Sequence, residues 1–507
     1  MTTETELKLR ITPEDMGRLK RHALLKTHQV AKPVTRHLHN IYFDTPELDL
    51  NRREMALRLR LAGGRWLQTL KGGGSIRGGL HQRNEWEVPV ASDQLDFSVF
   101  EAAVCDEFLP LPLRDRLEAV FATDFQRSSQ ILEWQGAQIE VCMDHGEVRA
   151  GTDSAPICEV ELELKSGTPL QLFELALAIL EIVPFELESV SKAERGFRLM
   201  AGYVEQPAKA ELPKFPKKAA LTQVLGGSIW ACLAHFQQNI HGAMTGCDPE
   251  YLHQMRVALR RLRLLLGMAE KLRPDQRLTA LRVELSEWAG ALGKARDWDV
   301  FIGALTRHPL YHQPDSDNQA MQALLTCCRR QREACYQSLQ RDQQQRAAQR
   351  LMLHFAIWMN GEYWQQPEDG VRSAHEFSAR QLSRLLKRYK QAERHLGKDD
   401  ADGLHALRIL ARKLRYSADF FAPLHKGRRK KPFIGALGEV QEVLGKIHDA
   451  TVASHLLKEL AAAPELAGYP EIITLVREWV AIRRLKQFGK LDRACHHLAR
   501  LDEFWLK

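Results

Sequence analysis

A chain of 507 residues with 44% apolar side chains is long for one domain and apolar enough for two or three ordinary globular cores. Its net charge of +8 hides an asymmetry: residues 1–203 carry 24 Lys and Arg against 31 Asp and Glu, a net of −7, and the remainder carries 48 against 33, a net of +15. No run approaches the ~18 apolar residues of a membrane span, and the nine cysteines, odd in number and without a CxxC pair, read as reduced thiols, not a disulfide scaffold or zinc site.

The first predicted strand is Glu4-Thr5-Glu6-Leu7-Lys8. Side chains alternate across a strand, so Glu4, Glu6 and Lys8 share one face. Later strands repeat the pattern. Arg58 and Arg60 alternate with Leu57, Leu59 and Leu61; Glu85 and Glu87 flank Trp86; Glu159, Glu161 and Glu163 alternate with Val160, Leu162 and Leu164. One such strand is an ordinary solvated edge. Several of them closed into one sheet would line a lumen where acids can hold a metal ion and cations can hold phosphates.

Tyr42-Phe43-Asp44-Thr45-Pro46 ends a strand with a turn. Leu57 to Leu70 predicts a hairpin about Gly63-Gly64. Lys71 to Leu80 is glycine-rich and is expected to be a mobile loop. Further strands are predicted near 82–90, 119–133, 137–144 and 157–165, with helices after Ile11, between Thr168 and Ile182, and from Ser191 to Tyr203. About eight short antiparallel strands suffice to close a small barrel.

The ExExK pattern at Glu4, Glu6 and Lys8 resembles the signature of the CYTH domain, the triphosphate tunnel metalloenzymes. Tyr42 to Pro46, Arg58 with Arg60, Thr69-Leu70-Lys71, Arg83 to Glu87, Arg127, Asp144, the run from Glu159, and Ser191-Lys192 with Arg195 match the family in the same order. The likeness covers residues 1–203. It implies an α+β domain built on a closed antiparallel eight-stranded barrel.

Residues 204–219 carry three prolines and four lysines and read as a linker. From 220 to 507 the pattern turns to long helical periods, predicting an all-α bundle. Breaks are expected at His308 to Asn318 and Gln365 to Gly370. An internal repeat lies here. The stretch from His253 to Arg263 matches that from His405 to Arg415, and Leu292 to Asp297 matches Leu444 to Asp449, both at an offset of 152 residues (405 − 253; 444 − 292). A duplicated helical unit follows, with pseudo-repeats at about 220–360 and 370–507.

At ~100° per residue, positions 0, +3, +7 and +10 share one helix face. His253, Arg256, Arg260 and Arg263 therefore form one stripe, and His405, Arg408, Arg412 and Arg415 another, neither containing an acid. A solvated helix face is the ordinary reading of such a stripe. This half resembles the CHAD domain, a helical module implicated in binding inorganic polyphosphate. The likeness implies polyphosphate-binding roles for both stripes with Arg296 and Lys413.

For the first half the resemblance implies metal-dependent hydrolysis of inorganic triphosphate to diphosphate and phosphate. Lys8, Glu6, Arg58 and Arg60 would be catalytic. Lys8, Arg58, Arg60, Lys71, Arg127, Lys192 and Arg195 would bind substrate. Glu4, Glu6, Asp144, Glu159, Glu161 and Glu163 would hold Mg2+ or Mn2+. Other readings are a thiamine or nucleoside triphosphatase or an adenylate cyclase of the same superfamily, and a non-catalytic polyphosphate-binding scaffold. Nucleic-acid binding is disfavoured because no aromatic residues interleave the basic stripes. No leader-like pattern opens the sequence, so a cytoplasmic protein without a membrane partner is expected, associated with polyphosphate granules.

Overall fold

The computed structural model describes residues 2–216, 218–246, 248–312, 316–365, 373–397 and 400–506. It divides into two compact units, Met1–Gln206 together with Gln345–Glu362, and Pro207–Gln344 together with Tyr363–Lys507. Lys217 of the predicted linker, 313–315 of the first predicted break and 366–370 of the second lie outside the described residues.

The first unit is a closed antiparallel barrel. Its strands are β1 (Thr2–Arg10), β2 (Val34–Asp44), β3 (Ala56–Ala62), β4 (Arg65–Arg77), β5 (Leu80–Val90), β6 (Glu118–Trp134), β7 (Ala137–Ala150) and β8 (Asp153–Ser166). They are ordered β5-β4-β3-β2-β6-β7-β8-β1, and β1 pairs back onto β5 to close the ring. A two-residue β9 (Glu186–Leu187) extends the sheet beside Leu9 and Arg10. The barrel is inside-out relative to an ordinary core. Leu7 and Leu9 are fully buried on the outer face of β1, against helix Pro169–Ile182, so the charged alternation of β1 points into the lumen.

The glycine-rich stretch after Lys71 is not a mobile loop. β4 continues to Arg77 and β5 starts at Leu80, with a bulge between Gly72 and Ser75. Gly74 makes the bulge possible. Its φ is +99°, and a Cβ there would lie 1.9 Å from the Gln82 carbonyl oxygen. Composition suggested flexibility; cross-strand pairing decided otherwise. The predicted strand near 137–144 runs on through His145 and Gly146 to Ala150. Gly146 is required by close packing: a Cβ would sit 2.1 Å from the Asp124 carbonyl oxygen.

Residues 345–359 of a helix, Asp342–Met359, belong to this unit. Gln349 Oε1 accepts from the Leu187 amide at 3.0 Å, and Arg350 pairs with Glu181 at 2.7 Å.

The second unit is helical and internally repeated. Helices Leu221–Thr245, Pro249–Leu272, Gln276–Leu305 and Ser316–Gln340 have counterparts Ala374–Arg394, Ala401–Phe421, Lys430–Leu460 and Pro470–Ala499, each starting 152–154 residues later. The basic helix of each repeat begins on an aspartate cap. Asp248 accepts from the Glu250 amide and Asp400 from the Gly403 amide, both at 2.8 Å. The linker is tied down from Ala208 onward, where its amide and carbonyl each bond the Asn239 side chain at 3.1 Å.

Candidate functional site

A cavity of about 370 Å³ runs through the barrel, lined by both signs of charge. Glu4, Glu6, Lys8, Arg58, Arg60, Lys71, Arg127, Glu161, Glu163 and Lys192 all line it. These side chains come from β1, β3, β4, β6, β8 and the first residue of helix Lys192–Met200, whose Ser191 caps the Glu194 amide at 3.2 Å. Asp144, Glu159 and Arg195 stand behind the wall. Asp144 and Glu159 are fully buried, and Arg195 pairs with Glu159 at 2.8 Å.

Asp144, Glu159 and Glu161 form a buried acidic cluster, with one ligand oxygen from each within 4.8 Å of the others. Cations already crowd it. Arg127 forks onto Asp144 at 2.7 and 2.6 Å and also bonds Glu161. Lys192 reaches Asp144 at 2.6 Å, Glu161 at 2.9 Å, and Glu159. Lys8 contacts Glu6 at 2.8 Å and Glu161. Burial opposes the charge on Lys8, but Glu161, Glu6 and Glu159 outweigh it and hold its pKa above the ordinary lysine value. Burial likewise opposes the charge on Asp144, but Arg127 and Lys192 keep its pKa below the usual carboxylate range.

The opposite wall has an excess of cation. Arg58 lies 3.6 and 3.8 Å from Glu85 and Glu87, and Lys71 lies 2.5 and 3.1 Å from Glu4 and Glu85. Arg60 donates to Asn40 at 2.7 Å. Burial, then Arg58 and Arg127, push its pKa down to about 10. Such crowding marks a place prepared for an anion. Asp44 plays a different part. Its carboxylate accepts from the amides of Thr45, Leu50 and Asn51 at 2.7–2.9 Å and fastens the turn after β2.

Lining residues that the sequence reading passed over are Arg36, Glu140 and Lys165. Lys165 continues the alternating face of Glu159, Glu161 and Glu163, and the other two share a strand face with residues named above. Arg36 precedes Leu38 and Tyr42, Glu140 precedes Asp144, and Lys165 follows Glu163. Lys165 lies 2.9 Å from Glu140 and 2.6 Å from Glu163.

In the helical unit the two stripes converge. Burial, Arg260, Arg296 and Arg408 lower the Arg256 pKa to about 10 against the pull of Asp297. Burial, Arg260 and Arg408 lower that of Arg412 to about 10. The Arg256 Nε and Nη1 and the Arg260 Nε are buried without a hydrogen-bond partner. The histidines belong to the same cluster, which lines the cleft proposed below: the His405 and His448 rings lie 6.1 Å apart, tilted by 45°. His253 and His448 are each held near a pKa of about 4, by burial and then by Arg296 and by Arg408 respectively. Asp297 and Asp449 stand among these cations with pKa values raised by burial.

The architecture is a closed barrel with a lumen of interleaved acids and cations, followed in the chain by a duplicated basic helical unit. Comparison with known families agrees. Residues 2–197 match the CYTH domain and residues 227–458 the CHAD domain, so the chain is a CYTH–CHAD protein. It is 34% identical over 203 residues to the inorganic triphosphatase of Haemophilus influenzae, a match covering 39% of this chain and 55% of that relative's length. An uncharacterized protein of Mycobacterium tuberculosis is 25% identical over 468 residues, covering 87% of this chain and 85% of the relative. The crystal structure of the CHAD domain from the plant Ricinus communis is 29% identical, with a TM-score of 0.51, covering 59% of this chain and 98% of that one. Among the described residues no helix is long and apolar enough to cross a membrane.

Proposed function

We propose that the barrel hydrolyses inorganic triphosphate to diphosphate and phosphate, and that the basic cleft of the helical unit binds inorganic polyphosphate. One observation carries the reading: the lumen interleaves carboxylates with a larger number of lysines and arginines, so cationic charge is left over for an anion. Triphosphate needs that pairing. The relationship to an inorganic triphosphatase supports it.

The donor set fits a hard divalent cation, since Glu4, Glu6, Glu161 and Glu163 all present carboxylate oxygens to the cavity. Glu4, Glu6 and Glu161 would hold Mg2+ or Mn2+, with Glu163 beside them and Asp144 and Glu159 as buried supports. A bound cation there supplies polarisation of a phosphate oxygen and a more acidic water. Arg58, Arg60, Lys71 and Arg127 bind the non-bridging oxygens and orient the chain. Lys8 and Lys192 stay protonated and neutralise charge that grows on the leaving diphosphate. Arg195 holds Glu159 in place.

The lining favours an inorganic substrate over a thiamine or nucleoside triphosphate. Tyr42 is the one aromatic residue lining the cavity among the described residues, and Trp86 packs on Phe108 at 5.3 Å. Tyr42 is itself stacked on Phe121 at 4.6 Å, so among the described residues the lining offers no free ring face for a base or thiazole.

The test is phosphate release by the full chain from tripolyphosphate, ATP, thiamine triphosphate and long-chain polyphosphate, with Mg2+ or Mn2+. Release confined to tripolyphosphate is expected. Equal turnover of ATP would replace the inorganic reading, and no turnover with retained polyphosphate binding would leave a scaffold.

A further inference from the structure

The two repeats of the helical unit are folded alike but charged differently at one flank. Arg261 of the first repeat corresponds to Lys413 of the second at the 152-residue offset (413 − 261). Arg261 is turned inward. It pairs with Asp419 at 3.3 Å and lies over the rings of Tyr416 and Phe420 at 5.2 and 5.8 Å. Beside it stands His235, the fifteenth residue of helix Leu221–Thr245. His235 is buried, and its Nε2 lies 2.9 Å from Gln254 and 3.1 Å from the carbonyl of Ala208 in the linker. An acid and a strand of linker close this flank.

The second repeat leaves the matching flank open. The fifteenth residue of helix Ala374–Arg394 is Arg388, and it is exposed, as are Lys413, Arg384, Lys271 and Arg263. The strongest charges acting on Lys413 come from Arg388, Lys271, Arg412 and Arg263, all cations. Those acting on Lys271 come from Arg384, Arg388 and Glu270, and Glu270 is already engaged by Arg282. Among the described residues no carboxylate lies within 4.0 Å of any of these five exposed cations. Arg384 and Arg388 stand one turn apart on one helix, a like-charge pairing that costs stability unless an anion lies between them. Arg412 joins this group to the cleft through Arg260 and Arg408.

We infer that the polyanion site is polarised: a linear polyphosphate leaves the cleft over Lys413, Arg388, Arg384 and Lys271, and not over the closed Arg261 flank. The inference rests on the cleft being the polyphosphate site. It assigns Lys271, Arg384 and Arg388 to a track that only a chain longer than the cleft can use, so affinity depends on chain length on one side of the pseudo-dyad alone.

The test compares the full chain, its Lys271→Gln/Arg384→Gln/Arg388→Gln variant and an Arg256→Gln variant. The probes are polyphosphates averaging ~10 and ~100 phosphates, titrated across salt concentrations. The triple variant should bind the long chain about tenfold more weakly, with a salt slope shallower by about 2, and bind the short chain as the wild type does. Arg256→Gln should weaken both. The three side chains are exposed and repel one another, so a melting temperature unchanged or slightly raised is expected and checks folding. Wild-type affinity and slope for the long chain in the triple variant would overturn the track. So would loss of duplex DNA binding alone, which would give the flank to nucleic acid. A wild type that binds neither chain would sink the cleft reading itself.

Discussion

Arg127 and Asp144 sit directly opposite each other on β6 and β7, and the guanidinium forks onto the carboxylate at 2.7 and 2.6 Å. Asp144 is fully buried and also holds Lys192 at 2.6 Å. One acid behind the wall therefore fixes two cations that face the cavity. It also leaves Glu161, which both cations touch, as the shared acid exposed to the lumen.

Replacing that acid should cost more than a surface pair. Asp144→Asn leaves Arg127 and Lys192 buried beside a neutral amide, and breaking a buried pair costs about 3–5 kcal/mol. The expected outcome is faster hydrogen exchange of the β6 and β7 amides and a lower unfolding midpoint for the barrel. Unchanged exchange there would mean that the two cations find other partners.

The barrel was legible in the sequence because its signal is unusually redundant. β1, β3, β5 and β8 each carry charges at alternate positions, and the ExExK strand fixes the phase. Arg36, Glu140 and Lys165 escaped because each lies outside the matched motifs, Lys165 one period-two step past Glu163, Glu140 two before Asp144 and Arg36 three before Tyr42. The glycine-rich stretch was misread for a physical reason. Glycine signals freedom locally, yet at Gly74 it serves a bulge whose crowding against Gln82 excludes any side chain. The attachment of residues 345–359 to the barrel unit had no sequence signal. A helix continuing a helical run does not reveal that Gln349 will accept from Leu187.

The carboxylates of β1 should matter to turnover and little to folding. Glu4 and Glu6 line the cavity and each pairs with one lysine, Glu4 with Lys71 and Glu6 with Lys8. Glu4→Gln and Glu6→Gln should each lower kcat by about 100-fold or more, with the melting temperature held. Chelation should abolish phosphate release, and added Mg2+ or Mn2+ should restore it. Wild-type kcat in both variants would remove these residues from the metal site.

Gly146→Ala tests the close approach of β6 and β7 without touching a charged group. The new methyl would lie 2.5 Å from the Phe125 Cα and Cβ and 2.1 Å from the Asp124 carbonyl oxygen. Overpacking of this kind costs about 1–3 kcal/mol. The shift should also loosen the facing of Arg127 and Asp144, three strand residues or fewer away, so KM for tripolyphosphate should rise along with the loss of stability. A variant as stable as wild type would show that the pair can part at little cost.

On the proposed reading, His253 and His448 should make polyanion binding a proton-linked event. His253 faces Arg296, Glu250, Arg260 and Arg256, and His448 faces Arg408, His405, Arg412 and Arg256. Both are held near a pKa of about 4 by burial and then by these cations. With folded values below the unfolded value of about 6.5, their contribution to stability is complete above that pH and is lost as the pH falls toward 4. A bound polyphosphate neutralises the cations and lifts both pKa values, so binding takes up protons and tightens as the pH falls from 7 to 5. Calorimetry in two buffers of different ionisation enthalpy should register that uptake. His253→Gln with His448→Gln should flatten the pH dependence while leaving affinity at pH 8 within a few fold. Proton uptake undiminished in the double variant would move the linkage to Asp297 and Asp449, which are also buried among the arginines.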